Sequence, residues 1–458
     1  MSRRHAIAAL GLFVAIASSA LATNASAATA KTTVMLGASL GFERMDGDAI
    51  AVLTPYFGLI AGPLSVDLAP ALRLVAMSKR GDDGRRDAGL RDADWDERAE
   101  WLRPLRRLTI ATDDGQVGLQ ISGLDGLSVG RGTLIDDYRA AFLQDHYRAA
   151  AHAFARAGPV EAEFFANDVT ALQVIGTRLG VQPLARGAAA TATGLRSWGL
   201  AFEAAADRNA PTQRQVQGGH AVIGKDGRSA FFASAWVAAV VETSLVLARR
   251  RGYSAGLWSS FGVANQAGHS GRGGEIGFAF DVRADDDDRS LIRLALAPGW
   301  AQGIWLPQRL DGAYELERLD LARAPTAGGV RVNETLAQRM AAVDADGGLG
   351  GVGRGHLRLE PIAGWITTAE ARLAPTSKHD LTTWSLRTAW VQPDWWLRAG
   401  WLRRPGRLHL FAGSAGFRPF GAFSVGVRLE RAMHADGARG LGMAPSWDGG
   451  GWVAVDLP

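Results

Sequence analysis

The sequence predicts an all-β chain whose strands close into a transmembrane, antiparallel, up-and-down barrel of about 16 to 20 strands, with a short helix in one long loop. Three observations lead there. Apolar and polar residues alternate with period two in segment after segment. The connections between those segments alternate between tight turns and longer loops. The composition is rich in glycine and tryptophan, 57 Gly and 15 Trp against 5 Tyr, and has no cysteine. Alternation sends successive side chains to opposite faces of an extended chain, so each segment has one oily face and one wet face. In GAFSVGVRLERA, residues 421–432, Phe423, Val425, Val427 and Leu429 share one face, while Ser424, Gly426, Arg428 and Glu430 share the other. A soluble sheet would bury the oily face in a core. A membrane barrel turns it to lipid and keeps the wet face around a lumen.

The N-terminus stands apart from this pattern. Arg3, Arg4 and His5 precede the apolar run 6–17, and Ala25-Ser26-Ala27 makes a small-x-small cleavage site. The run is below the roughly 20 residues that a spanning helix needs. Residues 1–27 are therefore expected to be a cleaved export signal and 28–458 a single barrel domain. Export without cysteine suits an envelope protein too large to depend on disulfides. Lys and Arg number 50 against 46 Asp and Glu, a formal charge of +4, which does not point to nucleic acid.

From the N-terminus, strands are expected over about 32–42 and 50–61, then a turn at Gly62-Pro63 and a strand to about 77. In that third strand Leu64, Val66, Leu68, Leu72 and Leu74 oppose Ser65, Asp67 and Arg73. A long charged stretch leads to a strand near 105–112, which turns at DDG into 116–122, where Val117, Leu119 and Ile121 oppose Gln116 and Gln120. The Gly-rich stretch Gly123 to Tyr138 then leads to a hairpin closed by Gly158-Pro159, whose second strand sets Val160, Ala162 and Phe164 against Glu161, Glu163 and Asn167. Tight turns follow strands two, four and six, and longer connections follow three and five. With the N-terminus in the periplasm, this is the asymmetry of outer-membrane barrels.

Further along, Ala230 to Ala248 is long enough to span a membrane as a helix and carries only Glu242 as a charge. Its Phe, Trp and Val content and the polar pair Glu242-Thr243 favour two strands and a turn. In EIGFAFDV, Ile276, Phe278, Phe280 and Val282 alternate with Glu275, Gly277, Ala279 and Asp281. An insertion is expected between about 323 and 354, with a helix capped at Asn333 and stopped at Gly347 whose apolar face carries Leu336, Met340 and Val343. In WLRAGWL, Leu397 and Trp401 oppose Arg398. Short turns are expected at 392–394 and 417–419, a long loop over about 433–449, and closure by WVAVDL.

The chemical motifs are weak. GASLG at 37–41 matches G-x-S-x-G but starts a strand with no helix after it. GHAVIGKD has Asp226 where a P-loop needs Ser or Thr. GLGGVG from Gly348 follows a helix and a loop, which is the wrong setting for a dinucleotide fold. The run Asp285 to Asp288 reads as a solvated turn, and the nine histidines show no metal-ligand spacing, so no metal or cofactor is expected.

With these segments in view, the chain resembles the porin-like β-barrel proteins of Gram-negative outer membranes. LDGLSVGRGTLIDDY and VEAEFFANDV are similar to stretches of large exported barrels of undefined function. One departure is that such barrels usually end in an aromatic residue, whereas here Trp452 is the nearest. The resemblance implies surrounding outer-membrane lipid and lipopolysaccharide. About 430 mature residues at roughly 10 per strand plus connections give a barrel wide enough for an aqueous lumen. The expected function is non-enzymatic passage of small polar solutes past a mixed, weakly selective wall. Its lining candidates are Asp67, Arg73, Glu161, Glu163, Glu275, Asp281, Arg398, Arg428 and Glu430. The alternatives are a surface scaffold or adhesion barrel plugged by Gly123 to Tyr138 or by the 323–354 insertion, and a soluble exported β-rich binding protein.

Overall fold

Twenty antiparallel strands, joined in sequence order, close on themselves. In the computed structural model they are β1 Thr33–Met45, β2 Asp48–Ala61, β3 Leu64–Leu68 with Leu72–Met77, β4 Leu105–Ala111, β5 Val117–Ser122, β6 Ala150–Ala157 and β7 Val160–Ala166. Next come β8 Val174–Val181, β9 Gly199–Arg214, β10 Phe231–Arg250, β11 Tyr253–Gln266, β12 His269–Arg283 and β13 Ser290–Gly303. The last seven are β14 Gly350–Ile362, β15 Trp365–Leu373, β16 Thr383–Val391, β17 Trp395–Arg404, β18 Leu408–Phe420, β19 Phe423–Ala435 and β20 Met443–Leu457. The structure describes the chain except residues 1–31, 46–47, 78–88, 91–94, 96–99, 113, 124, 141–146, 186–192, 218–219, 223–229, 285–289, 312–313, 315–321, 326–330, 335, 346–349, 375–380, 405–407, 421–422, 436–442 and 458. The expected signal and the Asp285 to Asp288 run lie outside the described residues.

Closure is made by β20 against β1, with Leu457 opposite Leu36 and Gly449 opposite Arg44. A closed ladder leaves no unpaired edge, the condition for crossing hydrocarbon with strands. No described helix is long and apolar enough to cross a membrane. Strand β3 is interrupted at Ala69-Pro70-Ala71, and both of its halves pair with β2. Proline has no N–H for the ladder, which accounts for a break there.

The outward parity is apolar along the wall. Leu36, Leu40, Phe42, Ile276, Phe278, Val427 and Leu429 are all exposed, with Ile276 at 68%. Near the rim where β1 begins, Trp365 stacks on Trp390 at 5.6 Å and Trp390 meets Trp395 edge-on at 4.6 Å. Tyr253 and Phe280 pair at the same rim, 6.3 Å apart. Nearer the other rim Phe261 faces Trp300 at 6.2 Å. An apolar belt between aromatic girdles on a closed antiparallel wall is the organisation of a porin-like, outer-membrane-type barrel.

Connection lengths follow the expected asymmetry with exceptions. The turns 62–63, 158–159, 251–252 and 363–364 share the rim where β1 begins, and the connections 78–104, 123–149 and 304–349 share the other. Against the trend, 182–198 is long at the first rim and 267–268 is tight at the second.

Several local expectations are corrected. Phe231–Arg250 is one twenty-residue strand, not two strands and a turn. Glu242 continues the alternation, buried between exposed Val241 and half-buried Thr243, so its charge marks an inward position and not a break. The insertion begins at residue 304, well before 323, and β14 has already started by Gly350. Its helix α1, Leu336–Ala345, is present; Asn333, expected as its cap, lies in the short strand Arg331–Glu334, and Gly347, expected as its stop, lies outside the described residues. Arg418 and Pro419 belong to β18, and β19 and β20 take up most of 433–449.

Candidate functional site

The inward face divides into two halves. Over β7 to β13 it is covered by an inner layer built from the β5–β6 and β13–β14 connections. Val129, Leu134, Ile135 and Tyr138 from the first join Ile304, Trp305, Leu306, Leu310 and Tyr314 from the second in one buried cluster with wall residues Phe165, Val174, Trp236 and Val240. Each fully buried aliphatic or aromatic side chain contributes roughly 1.5–3 kcal/mol. Backbone bonds tie the two connections together: Gln308 N–H to the Thr133 carbonyl at 2.8 Å, Leu310 N–H to Leu134 at 3.1 Å, and Asp136 N–H to Leu310 at 3.1 Å. Tyr138 sits edge-on to Phe165 at 4.9 Å, and the Tyr314 hydroxyl donates to Asp207 at 2.7 Å. Helix α1 adds Leu336 and Met340, which are 4% and 0% exposed. The side chain of Val343, expected beside them, lies outside the described set.

Glycines in the wall receive this layer. A Cβ on Gly176 would collide with the Ile135 side chain, and one on Gly262 with the Trp305 ring. Both positions leave a hole the width of a side chain, and a knob from the inner layer fills each.

Beneath the layer lies a charge network. Glu275 accepts from Arg354 at 2.5 Å and from the Trp258 indole at 3.4 Å. Glu242 faces Arg131 at 3.4 Å and Arg178 at 3.7 Å. Arg178 also binds Glu161 and lies 3.7 Å from Glu163, which meets His152 at 3.4 Å. Arg131 and Arg354 cover the Trp258 ring at 5.4 and 5.7 Å. Thus Glu161, Glu163 and Glu275 stand where the wall holds the inner layer. In the layer itself, Asp136 accepts from Ser128 at 2.6 Å and Gln308 at 2.5 Å. Burial raises its carboxyl to about 6, against the lowering influence of Arg354.

Among the described residues no such layer covers the wall of β17 to β19. A cavity of ≈ 550 Å³ lies between the inner layer at Gly126 to Arg139 and the wall of β13 to β19, and Arg398 and Arg428 line it. Arg428 reaches Glu43 at 3.3 Å and Glu430 at 3.7 Å, and Glu43 also holds Arg73 at 3.2 Å. Asp281 holds Arg283 at 3.3 Å and Arg293 at 3.5 Å. Asp67 is farther round the wall, with Arg107 at 2.7 Å and the Tyr56 hydroxyl at 2.9 Å. The nine candidates therefore share the inward parity without forming one site.

Sequence reasoning missed Arg131, Arg178, Arg293 and Arg354, together with Glu203, 1% exposed on β9, and Arg387, which lines the cavity. Those on strands occupy inward period-two positions, so the signal was present, diluted by glycine neighbours at Arg354 and plain at Arg293, which stands between Ile292 and Leu294. Among the described residues no group of three or more His, Asp or Glu could hold a metal ion. A second hollow, ≈ 980 Å³, is lined by Phe202, Val263 and Arg272, which carry the outward parity of β9, β11 and β12. It belongs to the outer surface.

No protein-family model matches the sequence, and no curated protein matches it. Solved structures do. The copper transporter OprC is 8% identical with a TM-score of 0.36, over 94% of this chain and 81% of that one. OccD1 (OprD), in a doubly substituted form, is 10% identical with a TM-score of 0.33, over 95% and 98%. CdiB from Acinetobacter baumannii is 8% identical with a TM-score of 0.28, and the chain spans only 60% of its length. The closed wall and its apolar belt, not these likenesses, establish the barrel.

Proposed function

We propose that the protein is an outer-membrane channel for small polar solutes, exported by a cleaved signal, whose bore is narrowed from one side by its own folded connections. The observation that supports this reading is the ≈ 550 Å³ cavity beside the inner layer, lined by charged and small residues. Twenty strands enclose more room than wall side chains fill, and here the inner layer takes one half of it. Outer-membrane lipid and lipopolysaccharide would surround the apolar belt. No residue has a catalytic part in this account. The test is a planar-bilayer recording on the refolded chain, in which discrete current steps are expected and a silent bilayer would remove the reading.

A plugged surface scaffold is the second reading, and one observation favours it: Leu134, Ile135, Tyr138 and Leu310 are completely buried inside the barrel. It expects a folded, inserted protein with no conductance.

A further inference from the structure

We infer that the open side of the bore selects small oxyanions, solutes bearing carboxylate or phosphate groups, over cations. This rests on the channel reading above and gives that site a substrate class. Among the described residues the cavity is lined by six arginines, Arg139, Arg293, Arg358, Arg387, Arg398 and Arg428, together with His356, against Asp137 and Glu370.

Most of these guanidinium groups have carboxylate partners, and the pairs are lopsided in one sense. The side chain of Arg293 is 48% exposed and that of its partner Asp281 is 10%. Arg358 stands at 35% against 12% for Glu360. Arg387 stands at 33% against 10% for Asp137 and 22% for Glu370. Arg428 stands at 36% against 19% for Glu43 and 22% for Glu430. In each pair the carboxylate is set back, against the wall or, for Asp137, against the inner layer, and the cation is presented to the space. A passing anion meets N–H donors, whereas a passing cation meets carboxylates already covered.

The arrangement is costly as wall structure. Arg293 and Arg358 are direct cross-strand partners on β13 and β14, a like-charge placement that weakens a sheet. Arg398 lies in register between Ala389 and Ser414 and has no ion pair among the described residues. Gly400, Ala412 and Gly413 complete the floor around it with side chains too small to cover a guanidinium. Guanidinium presents a planar fork of donors that fits carboxylate and phosphate two bonds at a time, and rings of cationic side chains favour anions in pores. On the opposite side the Glu242 and Glu275 side chains are sealed, 3% and 5% exposed beneath the inner layer, and Glu161, 36% exposed, is held by Arg178.

The test is the reversal potential of the refolded full chain in a planar bilayer under a potassium chloride gradient, followed by titration with inorganic phosphate and, separately, succinate. Anion selectivity is expected, with chloride current reduced as either oxyanion is added. Block by only one of them assigns the site to that headgroup. Arg398→Gln should weaken the block about tenfold, the loss of one charge-assisted hydrogen bond. Arg398→Lys should keep the reversal potential but weaken the block, because the fork is gone. Cation-selective or unselective steps in the unaltered protein overturn this inference and leave the channel standing. The absence of any steps overturns the channel reading and this inference with it.

Discussion

Ile276 lies at the middle of the fifteen-residue strand β12, 68% exposed on the outward face, and Arg in its place should impair membrane insertion. The magnitude follows from its depth. A cation on the lipid face at the bilayer midplane costs roughly 2–4 kcal/mol. At about 1.4 kcal/mol per tenfold, that lowers the folded-to-unfolded ratio by about 30- to 700-fold. The matched control is Gln120→Arg, which adds the same group on the inward parity of β5, opposite His152 of β6. There the new cation faces the interior near Glu163, which itself contacts His152, and should cost less than about 1 kcal/mol. Urea titration of folding into lipid vesicles, read by the mobility shift of folded barrels on unheated gels, measures both variants. Equal behaviour of the two would refute the assignment of faces, and with it the membrane barrel.

Gly176→Val should expel Ile135 from its hole and loosen the inner layer, destabilising by roughly 1–3 kcal/mol and raising single-channel conductance if the layer narrows the bore. Arg354→Ala should cost more, about 3–5 kcal/mol, because the Glu275 side chain is 5% exposed and would lose its closest cation; thermal denaturation in detergent reads this. Asp136 has a raised carboxyl pKa, about 6, so its contribution to holding the layer is complete below the ordinary Asp value and is lost as pH rises through 6. Conductance should therefore increase between pH 5 and pH 7.5, and Asp136→Asn should flatten that change. Excising helix α1 and bridging with glycines should leave the barrel intact, since no wall strand pairs with it, while conductance rises; an unchanged conductance would remove the helix from the solute path.

The wall was legible because it repeats one physical rule. Val427 and Leu429 outward with Arg428 and Glu430 inward, the tight Gly62-Pro63 and Gly158-Pro159 turns, and the closing WVAVDL all follow from period-two alternation. Where that rule was set aside, at Glu242, the reading went wrong, because an inward charge in an apolar run looks like a break until its partner strands are known. The interior was less legible. LDGLSVGRGTLIDDY stood out in the sequence, yet nothing local shows that Ile135 and Leu310, far apart in the chain, form a bridge inside the barrel. Nor does parity distinguish Glu275, sealed under Arg354, from Arg398, which faces open space: both are simply inward. Which inward charges are covered depends on how loops return into the lumen, and that is set by holes such as Gly176 and Gly262, whose purpose appears only when the knobs are in place.

A barrel half filled by its own connections and open along the rest should conduct, and should conduct more when the filling is removed. Single-channel conductance of the refolded chain, measured beside a variant with residues 127–138 replaced by a short glycine bridge, tests it most directly. Discrete steps are expected from the unaltered protein and larger steps from the variant, with both folding as barrels. Silence from the unaltered protein, or steps of equal size from the two, would contradict it.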